Sequence, residues 1–499
     1  MHPSVTFGLV VLAAILNIAN LSYDASLINN LNSVPAYFEH FNLTSGLVGL
    51  NVAIVNAGSI VSGPFAGLIL DKWGRKRGMV IGSSIAATGA AIQASAPNER
   101  VFAAGRLLLG FSLTIAATAS PTWVMELAHP KTRGIWVGIL MSSLPFMGLI
   151  VSCILLGIYN YSSDWQWRGP VLGELLTPLM AMAILPFTPE SPRWLLYKGR
   201  KEEALKVLAY LHADGNRNDV FVQAEFEEIS NALEYEKEHE GPWKSLWTPL
   251  PNLRRFLITV LINIFFQISG SNTIIYFLTI IIANTGIENL KDQLLVNLGI
   301  CIWNTIAVVA GGFVIEKMGR KATLLTGTGI MTVSLALLAI LVHLSETRRD
   351  SSYGIGAIVV IFIFQLASCG SWMHLAYSYP PEVLSYTQRT KGIAAGQAVG
   401  YAFAFINTYT LPIAIEEISW RYYAINSGWN VVIMAVIWLL FVETKGKTLE
   451  EVDRLFTGLV HIEGVVLDGE DQKSSSPDEN QAIRVVEKVL SKKRKVNVI

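Results

Sequence analysis

An all-α membrane protein, with twelve transmembrane helices in two six-helix halves and a cytoplasmic helical segment between them, is the fold class this sequence predicts. Three observations lead there. Apolar runs of roughly 18 residues or more recur along most of the chain, which is 52% hydrophobic and 15% charged, against roughly 25% charged for an ordinary soluble domain. A tight basic knot, DKWGRKRG at 71–78, returns as EKMGRKA at 316–322, each time between two apolar runs. The one long charged stretch, 188–250, falls midway along the chain.

Runs long enough to cross about 30 Å of hydrocarbon as helix lie near 7–28, 46–70, 78–95, 101–124, 135–158 and 170–187 in the first half. In the second half they lie near 255–283, 293–315, 322–344, 353–378, 392–414 and 422–442. The first run has no Lys or Arg before it and no small-residue cleavage site after it, so it reads as a retained span and not as a signal peptide. An even number of spans puts the short basic loops 71–78, 129–134, 316–322 and 386–391 on one side, which the positive-inside rule makes cytoplasmic, together with both termini. SETRRD at 345–350 runs against that trend. The sequons at Asn42 and Asn160 fall on the opposite face, where glycosylation occurs in a eukaryote.

Between spans six and seven, KEEALKVLAYL and VQAEFEEISNALEYEKEHE carry helical spacing in a charged background. The expected domains are therefore 1–187, the N-terminal half; 188–250, a helical linker; 251–445, the C-terminal half; and 446–499, a polar tail that is largely disordered. The tail's final basic cluster, SKKRK, suits either solvent or anionic lipid. Basic and acidic residues balance at 38 each, which gives no reason to expect a nucleic-acid partner. Cys153, Cys301 and Cys369 all sit in apolar runs and read as small packed hydrophobes. No metal-ligand cluster, nucleophile triad or phosphate loop is legible, so neither an enzyme nor a cofactor is expected. The Gly63/Gly67 spacing reads as a helix contact.

The two halves echo each other. ELAHPKTRG (126–134) matches EVLSYTQRTKG (382–392) in placing Glu seven residues before Arg, and PESPRW (189–194) mirrors ETKGKT (443–448), with the basic knots repeating at a similar offset of about 250 residues. Parallel six-helix repeats are the architecture of major facilitator transporters. DKWGRKRG, GRLLLG, PESPRW, QISGSN, EKMGRKA and ETKGKTLEE, in this order and on these sides of these spans, together resemble the sugar porter family of the major facilitator superfamily over residues 7–456. LAYLHADGN with EFEEI, and SWRYY before the last span, resemble its fungal lactose and cellodextrin permease branch.

That resemblance implies a multi-pass transporter of the plasma membrane, working as a monomer, that carries a sugar or polyol by alternating access with proton symport. A proton-independent facilitator and a non-transporting sugar receptor are the alternatives. In such proteins the positions matching Arg75, Glu126, Arg133, Glu190, Arg193, Arg320, Glu382, Arg389 and Glu443 form an ion-pair network between the halves that shuts the cytoplasmic gate. One exposed pair is worth about 0–1 kcal/mol, yet a network biases a two-state equilibrium by more. The bland alternative is a topology anchor alone.

Asp24 lies roughly 25 Å above the cytoplasmic edge of the first helix and Arg106 roughly 8 Å below the outer end of the fourth, so they share a depth. A carboxylate facing a guanidinium releases its partner on protonation, which couples a proton to a conformational change; the alternative is a static buried pair. Tyr23-Asp24 followed by this Arg resembles the proton-coupled members. His374 is expected to be a satisfied polar residue and Glu174 to reach the interface.

A sugar presents hydroxyls and apolar ring faces, so its site calls for amides and aromatic rings near the midplane. QISGSNTIIYF offers Gln267, Asn272 and Tyr276 around Gly270, and the resemblance adds Asn304 as a further hydroxyl-binding amide. The chain departs from the family at Phe266, Met141 or Ser142, Cys369 and Gly400, with Trp372, Tyr377, Gln397, Tyr401 and Asn407 nearby as substitutes. Those departures point away from glucose itself, toward a disaccharide or a less hydroxylated solute.

Overall fold

The structure is a computed structural model that describes residues 2–456, except 161–162, 239–242, 285–288, 349–350, 386–387, 448–450 and 453–454. The part of the expected disordered tail from 457 onward, with its basic cluster, lies outside the described residues. Among the described residues eleven helices are long and apolar enough to cross a membrane. Arg75–Ala94 makes the twelfth: its 20 residues open on Arg75, Lys76 and Arg77, and the rest of it is largely Gly, Ala and Ser, which lowers its hydropathy without shortening it.

The N-terminal half comprises span 1 (Pro3–Leu31), span 2 (Ser45–Trp73), span 3 (Arg75–Ala94), span 4 (Glu99–Leu127), span 5 (Arg133–Ile158) and span 6 (Trp165–Phe187). The C-terminal half comprises span 7 (Leu250–Ala283), span 8 (Leu290–Met318), span 9 (Arg320–Arg348), span 10 (Ser352–Val383), span 11 (Arg389–Ile418) and span 12 (Trp420–Leu440). The face bearing the loops at 74, 128–132 and 319 is called the basic face below, and the opposite one the far face. Several helices starting at the far face have side-chain caps: Thr44 Oγ1, Asn98 Oδ1 and Asn289 Oδ1 accept from Leu47, Val101 and Lys291 N–H. The linker forms helices Pro192–Tyr197, Lys201–His212 and Val220–Glu238 on the basic face, and Leu195, Ala204 and Leu233 bury their apolar sides against one another.

Spans 7 and 10 are irregular beside the residues expected to bind the solute. Span 7 is broken at Ser269-Gly270, between helices Leu250–Ile268 and Ser271–Asn284, and Gly270 takes φ +99°, a conformation that side chains with a Cβ resist. Breaking a helix inside a membrane frees carbonyls that must find donors. Asn407 donates to Gln267 O at 2.6 Å, Asn430 to Ser269 O at 3.0 Å and Asn426 to Ile268 O at 3.4 Å. Span 10 carries a π-helical turn at Ser368–Trp372, the kind of bulge that re-aims the side chains around it. Gly63 and Gly67 correct the sequence expectation: both are exposed, and a Cβ at either would meet nothing within 4 Å, so they make no close helix contact.

Candidate functional site

Asp24 and Arg106 meet, in keeping with their shared depth, each about two turns in from the far end of its helix. Arg106 Nη1 and Nη2 donate to Asp24 Oδ1 and Oδ2 at 2.8 and 3.2 Å, and the pair is 1% and 3% exposed. Arg106 Nε donates to Asn51 O, so span 2 joins the site; Asn51 in turn donates to Tyr37 Oη at 3.0 Å. Two-pronged pairing and an extra carbonyl satisfy most of this buried guanidinium.

Glu174 overturns the expectation that it reaches the interface. It is fully buried, its field reaches both Asp24 and Arg106, and neither carboxyl oxygen has a hydrogen-bond partner among the described residues. The cause is local. Span 6 begins at Trp165, ahead of the apolar run that starts near 170, so Glu174 lies well inside it; the opening helix Trp165–Gly173 is held by the core residue Trp167 and by a bond from Tyr23 Oη to Pro170 O at 2.8 Å. The pocket therefore holds two carboxyls and one guanidinium.

Around the break in span 7, Asn272 Nδ2 donates to Gln267 Oε1 at 2.8 Å, which brings these two amides together. Tyr276 is one helical turn further on, half-buried, and close enough to Asp24 and Arg106 to feel their charges. Asn304 on span 8 is half-buried, and its buried Oδ1 lacks a partner among the described residues. Asn407 spends its donor on the broken backbone. Trp372 is fully buried and donates from Nε1 to Thr328 Oγ1 at 3.1 Å, so it is turned away into the core between spans 9 and 10. The half-exposed aromatic near the break is instead Tyr377, edge-on to Phe266 with ring centroids 6.4 Å apart. His374 is satisfied as expected, with Nε2 donating to Val308 O at 2.7 Å.

The basic knots resolve into two copies of one device. In the first, Arg75 makes a two-pronged pair with Glu126 at 3.0 and 3.1 Å, while Glu190 Oε1 accepts from the Arg75 and Lys76 N–H groups that begin span 3. In the second, Arg320 pairs with Glu382 at 2.9 Å, while Glu443 accepts from the Arg320 and Lys321 N–H groups that begin span 9. Each carboxylate thus caps a helix N-terminus supplied by another part of the chain. Gly74 and Gly319 make the approach possible: their φ values are +92° and +93°, and a Cβ would lie 2.3 Å from Glu190 Oε2 or 2.7 Å from the Glu443 carboxyl.

These bonds stay within one half, whereas the family resemblance implies pairs between the halves. Arg133 turns to the linker, where its Nη2 donates to Glu225 Oε1 at 3.1 Å and His212 Nδ1 holds the other Glu225 oxygen at 2.7 Å. Arg193 and Arg389 are engaged as well. Burial pushes the Glu190 carboxyl above the ordinary 4.5, with N–H groups of Ser191, Lys76 and Arg75 opposing. At Glu443 desolvation is again the largest single effect, but four backbone N–H groups together outweigh it and hold the carboxyl below 4.5.

The halves touch through spans 1, 2 and 5 on one side and spans 7, 8 and 11 on the other. Side-chain bonds between them lie toward the far face: Asn56 to Thr408 at 3.5 Å, Ser152 to Cys301 at 3.6 Å, the exposed Ser45 hydroxyl to the Glu416 carboxylate, and a buried set of asparagines at 29, 30, 32 and 297. Sequence reasoning singles out neither those asparagines nor the Glu225–His212 contact. LINNLN at 27–32 is visible as a polar patch at the end of a span, but nothing in it names a partner.

Comparisons with known proteins agree with this fold. The MFS-type transporter oryC of Aspergillus oryzae is 28% identical over 413 residues, covering 81% of this chain and 76% of its own length. The galactose-proton symporter of Escherichia coli is 26% identical over 465 residues, covering 91% and 95%. The inward-open conformation of the xylose transporter XylE from E. coli shares the fold, with TM-score 0.75, 22% identity and coverage of 90% and 99%. Residues 7–456 match the family described as "Sugar (and other) transporter". Twelve spans in two echoing halves, and a match along nearly the whole membrane domain, identify the chain as a member of the Sugar (and other) transporter family.

Proposed function

We propose that this protein carries a sugar or sugar-like solute, such as a polyol, across the plasma membrane by alternating access, in symport with protons and as a monomer. The basic face is cytoplasmic in this reading, by its excess of short-loop Lys and Arg. The observation that carries the proposal is the dry Asp24–Arg106 pair with Glu174 beside it. A charge inside a membrane costs enough that it is kept for function by default. Two carboxyls against one guanidinium reach neutrality by taking up one proton, and a proton placed on Asp24 removes the partner of Arg106. Asn51, whose carbonyl holds Arg106 Nε, sits on span 2, which packs against span 11 of the other half, so a change at the pair bears directly on the contact between halves.

The solute is best accommodated around the broken span 7, where Gln267, Asn272, Tyr276 and Asn304 offer amide and hydroxyl groups and Phe266 with Tyr377 an aromatic face. Asn407 and Trp372 support this site from behind. We read this as a state open toward the cytoplasm, because the side-chain bonds between halves found among the described residues lie toward the far face, while the Arg75, Glu190, Arg320, Glu382 and Glu443 clusters on the basic face pair among themselves. The test is reconstitution in liposomes with radiolabelled D-galactose, D-xylose, disaccharides and polyols, followed together with an internal pH dye. Wild type takes up at least one solute with proton entry, and Asp24→Asn abolishes net uptake against a gradient. Uptake in wild type without proton movement makes the protein a facilitator; binding without uptake makes it a receptor.

A further inference from the structure

Among the contacts between the halves toward the far face is a buried cluster of neutral amides. Asn297, on span 8, uses both ends of its side chain: its Oδ1 accepts from Asn29 Nδ2 at 3.2 Å, and its Nδ2 donates to Asn30 Oδ1 at 2.5 Å. Asn30 is oriented by its own bond to Ser26 O at 2.8 Å. Two flanking bonds tie the same end of span 1 to the outer segment of span 7, Thr279 Oγ1 to Asn29 O at 2.8 Å and Asn32 Nδ2 to Tyr276 O at 3.1 Å. All five residues are 6% exposed or less. Three helices from two halves therefore meet at one dry hydrogen-bonded point, just above the Asp24–Arg106 pair on the same helix.

A buried amide must be satisfied by other protein groups or by water. If the halves separate at the far face, water reaches Asn29, Asn30 and Asn297 and replaces their bonds; if they close, each must find the others. We infer that Asn297, gripping Asn29 and Asn30, is the latch that holds the far side shut and sets the ratio of inward-facing to outward-facing molecules. The inference rests on the alternating-access reading above. Because the buried latch carries no charge, it neither titrates nor screens, and protons act on the cycle elsewhere. Asn297→Ala strips two bonds and strands Asn30 Oδ1 and Asn29 Nδ2 in a dry contact, while in the hydrated open state it costs little. The inward-to-outward ratio falls about tenfold, the size expected for losing two such bonds in one state only.

The experiment measures distances between spin labels at Gly46→Cys and Glu417→Cys, at the far ends of spans 2 and 11, in a Cys153→Ala background. Gly46 has room for a side chain, and the neighbouring Ser45–Glu416 contact places the two sites together in the closed state. Wild type gives mainly the short distance, and Asn297→Ala gives a long-distance population about tenfold larger relative to the short one. Asn297→Leu, which restores volume without hydrogen bonds, gives the same shift and separates lost bonding from lost packing; Asn30→Ala shifts in the same direction if either position-297 variant fails to fold. Distributions that superpose on wild type in the variants, while wild type itself shifts with pH or D-galactose, overturn the latch and leave the transport reading standing. Distances that move under no condition in any variant overturn both.

Discussion

Gly74 and Gly319 show how much of a charged motif can rest on a residue with no charge. The sequence draws the eye to the arginines and lysines of each knot, yet it is the missing Cβ that lets Glu190 or Glu443 reach the two N–H groups behind it. Gly74→Ala and Gly319→Ala each destabilise the protein by about 1–3 kcal/mol from backbone strain alone, with the carboxylate clash added. Gly63→Ala and Gly67→Ala, at exposed positions with open space, leave it unchanged. Thermal melting of the four purified variants checks both statements.

The two capping glutamates also differ, although the motif is the same. Burial raises Glu190, so its contribution favours the folded state below the ordinary 4.5 and is lost as pH rises through the raised value. Glu443 is depressed, so its contribution is present above 4.5 and is lost as pH falls through the lowered value. Glu443→Gln therefore lowers the stability at neutral pH by no more than about 1 kcal/mol at this part-exposed site, and the melting temperature falls with it; the difference closes on acidification. Glu190→Gln leaves the neutral-pH melting temperature unchanged or raises it. Melts of both variants between pH 7 and the acid limit of the folded protein test the signs.

At the scale of helices, the sequence discloses the features that hydrophobic length and charge determine. All twelve spans appear where apolar runs lie, and the linker helices appear where charged residues keep helical spacing. Asp24 and Arg106 are legible because ionisable residues are rare in spans and depth can be had by counting residues. The same counting misplaces Glu174, because it puts the residue near a span end; the span begins at Trp165, outside the apolar run and packed through Trp167, so the residue lies deeper. Trp372 is misplaced for another reason: a sequence does not say which side of a helix a ring occupies once a π turn has shifted the register. The asparagines of the far-face latch and the Glu225–His212 bridge are contacts between distant segments, and no local pattern announces them.

At the scale of the whole molecule, the two faces are held by different chemistry. Charged clusters stand on the basic face, while toward the far face asparagines join the halves within an apolar cluster that takes Leu27 and Val52 from one half and Leu294 and Leu411 from the other. Span 12 has a part in this architecture that its position at the end of the second half conceals. Its Asn426 and Asn430 are donors to the carbonyls freed by the break in span 7. During synthesis span 7 leaves the ribosome long before span 12 exists, and until then its centre sits in lipid with those carbonyls unanswered, at several kcal/mol each. Biogenesis of the second half therefore cannot settle helix by helix: span 7 must wait, either outside the hydrocarbon or beside the insertion machinery, for the last span to arrive. A chain cut after Ile418 is expected to stay protease-sensitive within span 7 and to be cleared by the cell, and supplying span 12 as a separate segment is expected to restore protection.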